Sequence, residues 1–171
     1  FSQCVADGFQ QVVILGAGFD TRAQRLLPEE SACRIFELDA PATQTHKQAC
    51  FDKLETLFTN SVRYAPLDLC AGEVESLLAE VGVARSSRSL FLLEGLTMYL
   101  PCEVVTSILG SISDFSTTGS LLVMDYVLEA VMAGDNQPHG AVGLLAKAEA
   151  HGEPFQCGFS PEGIETLAQR I

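Results

Sequence analysis

The sequence predicts an α/β domain, a Rossmann-like, doubly wound and mainly parallel sheet. Three observations predict it. Five short apolar runs recur, Gln11–Leu15, Arg34–Leu38, Val62–Leu67, Ser89–Leu93 and Ser120–Met124, and none alternates cleanly between apolar and polar residues. Strands read this way when both faces of their sheet are covered. Segments with helical spacing lie between the runs, and that order implies parallel strands joined by right-handed crossovers. Finally, the first run stops abruptly on Gly16-Ala17-Gly18, as a strand does when it turns straight into a helix.

Each connecting segment has its own signature. Thr21–Leu27 reads as a short helix, with Asp20 as its N-cap and Pro28 as its stop. Pro41–Phe58 is a weaker helix with Phe51, Leu54 and Phe58 on one face. In Glu73–Val83, Val74, Leu77, Leu78 and Val81 form one stripe. Pro101–Phe115 carries Val104, Val105, Ile108, Leu109, Ile112 and Phe115 in the same way, and Pro101 suits a first helical turn. Beyond Met124 the pattern weakens. Gly134–Gly143 reads as a loop, Leu144–Ala150 as a short helix, and a further helix begins at Pro161. Phe36, Phe91 and Phe115 fall on strands and apolar helix faces and are assigned to the core.

At 171 residues the chain is read as a single domain, 1–171. It has no initiator Met, and is expected to be a piece of something longer, incomplete at both ends. No apolar run approaches the roughly 20 residues of a membrane-spanning helix. The opening "FSQCVADGF" does not read as a signal peptide. A formal charge of −12 argues against nucleic acid and acidic membranes as partners. Cysteines at 4, 33, 50, 70, 102 and 157 form no C-x-x-C pair and no zinc spacing, so no metal is expected. They are read as reduced thiols of a cytoplasmic protein.

Glycine lacks a Cβ, so Gly16 and Gly18 allow a tight turn and let another molecule touch the backbone. Free N–H groups at the following helix start attract negative charge. Thr21 stands where a dinucleotide fingerprint has its third glycine. Asp39, in "FELDAP", lies 23 residues beyond Gly16, where an acid accepts the hydroxyls of a ribose, and Glu37 competes for that role. Asp68 ends the third strand and Glu94 the fourth. A lone acid at a strand end is usually a cap; four neighbouring tips carrying Gly16/Gly18, Asp39, Asp68 and Glu94 suggest one cleft. Its acidity favours a cationic sulfonium over the two phosphates of NAD.

Together "ILGAGFDTRAQRL", "FELDAPATQTHK", "APLDL" and "LLEGLTMYLP" resemble the leucine carboxyl methyltransferase family, from about Gln11 to Leu100. A weaker match continues through "MDYV" and "PFQCGFSPEGIETLA". The resemblance implies the class I methyltransferase fold and S-adenosylmethionine (SAM) as cofactor. It implies that Gly16 and Gly18 approach the aminocarboxypropyl arm and that Asp39 binds the ribose. Asp68 with Leu69 would contact the adenine, Glu94 would face the amino end, and Tyr99 would line the acceptor side. Asp20, Thr21 and Arg22 are assigned to shaping the loop. The family's N-terminal helices, with a basic residue for the SAM carboxylate, and its last two strands have no counterpart in this chain. The sheet is therefore expected to stop after its fifth strand, which would lie at an edge.

Methyl transfer is expected to an oxygen acceptor, a carboxylate first. A carboxylate is already ionised near neutral pH and needs no base. A phenol or alcohol would need one, for which His139 and His151 are the candidates, each more readily read as a solvated loop residue. His46 is read as a surface residue; Tyr126 could line the pocket and Asp125 hydrogen-bond there, and core packing or capping explains each as well. Arg85 and Arg88 belong to a solvated loop rather than a phosphate clamp. An NAD-dependent oxidoreductase and a non-catalytic SAM-binding module stay open as alternatives. The sequence does not name the acceptor or the oligomeric state.

Overall fold

The computed structural model describes residues 1–26, 31–53, 62–71 and 74–170. All five expected strands form, with ends within a residue of those expected. In chain order the elements are α1 (Ser2–Ala6), β1 (Gln11–Leu15), α2 (Arg22–Leu26), β2 (Arg34–Asp39), α3 (Pro41–Asp52), β3 (Val62–Pro66), α4 (Val74–Glu80), β4 (Ser89–Leu93), α5 (Cys102–Phe115), β5 (Leu121–Met124), α6 (Glu129–Met132), α7 (Leu144–Ala150) and α8 (Pro161–Arg170). One-turn 3-10 helices cover Leu69–Ala71 and Thr97–Tyr99. The strands make one sheet in the order β3-β2-β1-β4-β5, and every pairing is parallel.

The strands lack alternation because both faces are packed. On one face Val13, Leu15, Phe36, Leu38, Phe91 and Leu93 meet Val74 and Leu78 of α4 and Val105, Ile108, Leu109, Ile112 and Phe115 of α5. On the other, Val12, Ile14, Ile35, Leu90 and Leu92 meet Phe9, Ala23 of α2 and the partly buried Cys4 and Val5. Each fully buried aliphatic or aromatic side chain contributes roughly 1.5–3 kcal/mol, so these two layers hold the sheet between its helices. Alternation returns at the edge strands: in β3 Arg63 and Pro66 are exposed while Ala65 is buried, and in β5 Leu121 and Val123 are exposed while Leu122 and Met124 pack inward. Among the described residues β4 is its one neighbour in the sheet.

Several details differ from expectation. Pro101 occupies the N-cap of α5 rather than its first turn. Helix α3 is described to Asp52; Leu54 and Phe58, like Leu27 and Pro28, lie outside the described residues. The short helices α1 and α6 carry too few residues to show a period. The reading of six reduced cysteines is corrected: Cys102 at the start of α5 and Cys157 after α7 are joined, with Cα atoms 5.0 Å apart. Fifty-five positions separate them, and only the return of the chain across the β4–α5 turn brings them together. No helix among the described residues is long and apolar enough to cross a membrane.

Candidate functional site

Parallel strands bring their carboxyl ends to one edge. The tips of β3, β2, β1 and β4 therefore follow one another in space as Asp68, Asp39, Gly16–Gly18 and Glu94. Main-chain bonds knit them together. Gly16 N–H donates to Leu38 O at 2.8 Å, Ala17 N–H to the same oxygen at 3.2 Å, and Leu67 N–H to Asp39 O at 2.8 Å.

The two glycines do different work. Gly16 has φ +67, and a Cβ there would stand 2.8 Å from Leu96 Cδ1, so Leu96, in the turn after β4, packs directly on the loop. Gly18 has φ +45 with its flank open, the nearest atom to a Cβ being Gly16 O at 3.9 Å. Its N–H donates to Asp39 Oδ2, while Asp39 Oδ1 accepts the N–H of Ala40 at 2.6 Å. The acid on β2 and the loop after β1 are thus in direct contact.

Asp68 is exposed, and its Oδ1 accepts the N–H of Cys70 at 2.9 Å, a cap on the short turn that begins with Leu69. Leu69 is partly buried against the larger core. Glu94 is 40% exposed and pairs with Arg22, Nη2 to Oε2 at 2.6 Å. Arg22 is in turn gripped by Asp20. Asp20 Oδ1 accepts the Arg22 N–H at 2.8 Å, and Oδ2 accepts Nε at 2.8 Å and Nη2 at 2.6 Å. Burial works against the charge on Asp20, but the Arg22 hydrogen bonds outweigh it and hold the carboxyl below its usual range. The turn after β4 is anchored from the neighbouring strand: Asp125 Oδ1 accepts Gly95 N–H at 2.8 Å, and Asp125 O accepts the Thr97 hydroxyl at 2.6 Å.

Glu37, the competitor of Asp39, leaves the site. It shares a strand face with Asp39 but is fully buried, paired with Lys47 and reached by Gln24 Nε2 at 3.5 Å. Burial pushes its carboxyl up, against the lowering effect of Lys47.

Tyr99 sits one short turn beyond Glu94. Its ring meets Phe155 edge-on with centroids 5.2 Å apart, and its carbonyl accepts Gln156 Nε2 at 2.6 Å. Gln156 N–H donates to Met98 O at 2.7 Å, and Cys157 follows with its disulfide. The described partners of Tyr99 are therefore this returning segment rather than the strand tips. His46, His139 and His151 are exposed. His46 stacks edge-on with Phe19 at 5.5 Å, and His151 Nδ1 lies 2.7 Å from Lys147 O in its own helix. Tyr126 stacks on Phe159 at 6.1 Å. Arg85 lies over Phe115 and Arg88 over Phe9, at 4.4 and 4.3 Å.

Sequence reasoning missed the Arg22–Glu94 bridge and the clamp of Phe155–Cys157 onto Tyr99. Both join distant positions. For Arg22 the one local signal is the acid two residues before it, which orients the guanidinium.

The family model for leucine carboxyl methyltransferase matches residues 1–113. A Frankia alni protein provisionally named as an S-adenosyl-L-methionine-dependent methyltransferase is 38% identical over 119 residues, covering 70% of this chain and 42% of its own. The Bacillus subtilis protein YktD, with the same provisional name, is 28% identical over 162 residues, 95% of this chain and 53% of its own. The chain thus spans about half the length of these curated relatives. A crystal structure from Thermobifida fusca, described provisionally as a methyltransferase, superposes with a TM-score of 0.67 at 22% identity, over 97% of this chain and 61% of that one. Human N-acetylserotonin methyltransferase, solved with SAM, superposes with a TM-score of 0.59 at 14% identity, over 99% of this chain and 45% of its own. The fold is that of the class I methyltransferases.

Proposed function

This chain belongs to the leucine carboxyl methyltransferase family, and from that premise we propose that it forms the cofactor-binding part of a SAM-dependent O-methyltransferase whose acceptor is a carboxylate. The observation that carries the reading is the contact between Gly18 and Asp39 beside an open glycine flank. A bare backbone edge next to a strand-end carboxylate suits a ribose, and the donor set fits an adenosyl sulfonium. Asp39 accepts ribose hydroxyls, Asp68 accepts from the adenine amine above Leu69, and Glu94 faces the amino group. Gly16 and Gly18 admit the arm between them. When bound, the cofactor supplies an electrophilic methyl group on a cationic sulfur.

The chain's own residues hold and orient. Asp39, Asp68 and Glu94 are acids, so the field at this edge favours a cation and disfavours the two phosphates of NAD. A carboxylate acceptor arrives ionised near neutral pH, so no general base is required, and the exposed His139 and His151 need not supply one. Tyr99, held by Phe155 and Gln156, lines the acceptor side.

Calorimetry on the intact protein tests the cofactor. S-adenosylhomocysteine should bind, NAD should not, and Asp39→Ala should abolish the heat without lowering the melting temperature by more than a few degrees. Transfer of label from methyl-labelled SAM to a pool of small carboxylates and phenols then tests the acceptor. Labelled phenols alone would overturn the carboxylate, and binding without turnover would favour a non-catalytic module.

A further inference from the structure

Residues 155–159 form a strap across the turns that follow β4 and β5. Gln156 holds the first turn, its N–H donating to Met98 O at 2.7 Å and its Nε2 to Tyr99 O at 2.6 Å, while the Phe155 ring meets Tyr99. Phe159 holds the second, its N–H donating to Val127 O at 2.9 Å and its ring meeting Tyr126. Phe155 packs in a small core with Met98, Val127, Val131 and Ala141, apart from the two layers of the sheet. Cys157 belongs instead to the larger core, and its bond to Cys102 fastens the strap to the start of α5.

The two sulfurs are unequally placed. Cys157 is 2% exposed, whereas Cys102 is partly exposed at the first position of α5, a helix of 14 residues whose N-terminus no side chain caps. A thiolate at that position gains from the helix dipole and the free N–H groups. Glu103, exposed in the same turn, offsets part of that gain through water. A neutral Cys157 thiol suits an apolar core. Each cysteine thus has a favourable reduced form, and a disulfide whose reduced form is stabilised is easily reduced.

We infer that Cys102–Cys157 is a reversible thiol–disulfide switch, fastening the strap over Tyr99 when oxidised and releasing it when reduced. The consequence for the acceptor rests on the reading of Tyr99 above; the switch itself does not. A glutathione thiolate can reach only Cys102. It attacks that sulfur, the bond to Cys157 breaks, and Cys157 leaves as a thiolate that takes a proton from water. A second glutathione thiolate attacks the glutathione sulfur of the mixed disulfide, frees Cys102 and departs as oxidised glutathione. Two glutathione thiols are oxidised and two cysteines reduced. The return path runs through the same mixed disulfide, with Cys157 as the resolving thiol. Once released, the strap keeps only its hydrogen bonds and ring contacts, and the turn that carries Tyr99 loses its rigid support.

The intact protein is equilibrated in buffers of graded glutathione ratio, quenched with acid, and its cysteines assigned peptide by peptide after alkylation. The reduced fraction of the pair should rise from nearly none to nearly all as reduced glutathione comes into excess. In the folded, reduced protein iodoacetamide should label Cys157 at least about tenfold faster than Cys33, which is buried on the other face of the sheet. With labelled SAM and the pool of small carboxylates, reduction should lower kcat/KM about tenfold. Affinity for S-adenosylhomocysteine, whose proposed site lies at Gly18, Asp39 and Asp68, should stay the same. Cys102→Ser should keep the reduced value of kcat/KM in every buffer. A bond that survives excess reduced glutathione would overturn the switch and leave a structural staple, and so would a Cys157 labelled as slowly as Cys33. Equal turnover in both states, with Cys157 labelled fast, would overturn the hold of the strap on the acceptor side. No turnover in either state would be a failure of the methyl-transfer reading, and alkylation would still decide the switch.

Discussion

Lys47 places its ammonium on the carboxylate of Glu37 in the layer between α3 and the sheet, with the two side chains only 2% and 1% exposed. Such a pair adds little net stability, because desolvation opposes the attraction, yet losing one member strands a buried charge. Lys47→Met and Glu37→Leu should therefore each cost about 3–5 kcal/mol. The double variant should recover most of that loss. Urea unfolding of the four proteins measures the coupling, and additive costs would contradict it.

The same pair predicts a pH dependence. Burial, opposed by Lys47, leaves the Glu37 carboxyl above its ordinary value. The folded chain then binds this proton more tightly than the unfolded chain. The Glu37 contribution is most favourable below the ordinary glutamate range and declines as pH climbs through the folded value. Lys47→Met removes the opposing influence, so the decline should steepen and extend toward neutrality. Unfolding free energies from about pH 5 to pH 8 check this; a deficit in Lys47→Met that stays constant across the range would speak against it.

Gly16 and Gly18 should fail differently. Alanine at either pays for a left-handed backbone, about 1–2 kcal/mol. At Gly16 it also meets Leu96 at 2.8 Å, whereas at Gly18 the space is open. Gly16→Ala should melt markedly lower. Gly18→Ala should melt only a few degrees below wild type, the backbone cost alone, but bind S-adenosylhomocysteine at least about tenfold more weakly, if that flank is where a ligand lies against the chain. Equal binding by wild type and Gly18→Ala would remove the flank from the site.

Much of this was legible in the chain. Doubly covered strands such as β1 and β4 carry unbroken apolar runs, and Gly16-Ala17-Gly18 marks the turn where β1 ends, so the sheet and the four tips could be read directly. Distant pairings left no local mark. Nothing in the local sequence marks Lys47, and only the packing of α3 over β2 reveals it as the partner of Glu37. The choice between Glu37 and Asp39 was open in sequence, because both lie on one strand face. The structure sets them apart, because the strand ends at Asp39 while Glu37 is covered by α2 and α3.

Asp20 should stabilise the fold only above its own titration. Arg22 holds its carboxyl below the usual value despite the burial that opposes ionisation. The contribution is present at neutral pH and lost as pH falls through the folded value. Asn at this position can still accept the Arg22 N–H but carries no charge. Asp20→Asn should cost about 1 kcal/mol at neutral pH and flatten the acid limb of the stability curve. An unchanged acid limb would show that the Asp20 charge contributes nothing measurable.

Cys102 and Cys157 should be found joined. Alkylation of the unfolded protein without reductant should label the peptides carrying Cys4, Cys33, Cys50 and Cys70, and leave Cys102 and Cys157 in one linked species. Because the bond closes a long loop, Cys102→Ser with Cys157→Ser should cost about 2–4 kcal/mol. The segment that follows Phe155 also carries Gln156, whose two hydrogen bonds hold the Met98 and Tyr99 carbonyls. Loss of the bond should therefore loosen Tyr99 before it unfolds the sheet, and hydrogen exchange at Gln156 should rise while the β1 and β4 amides stay protected. Labelling of Cys102 and Cys157 in unreduced protein would show that the hydrogen bonds and the Tyr99–Phe155 contact hold this segment without the covalent link.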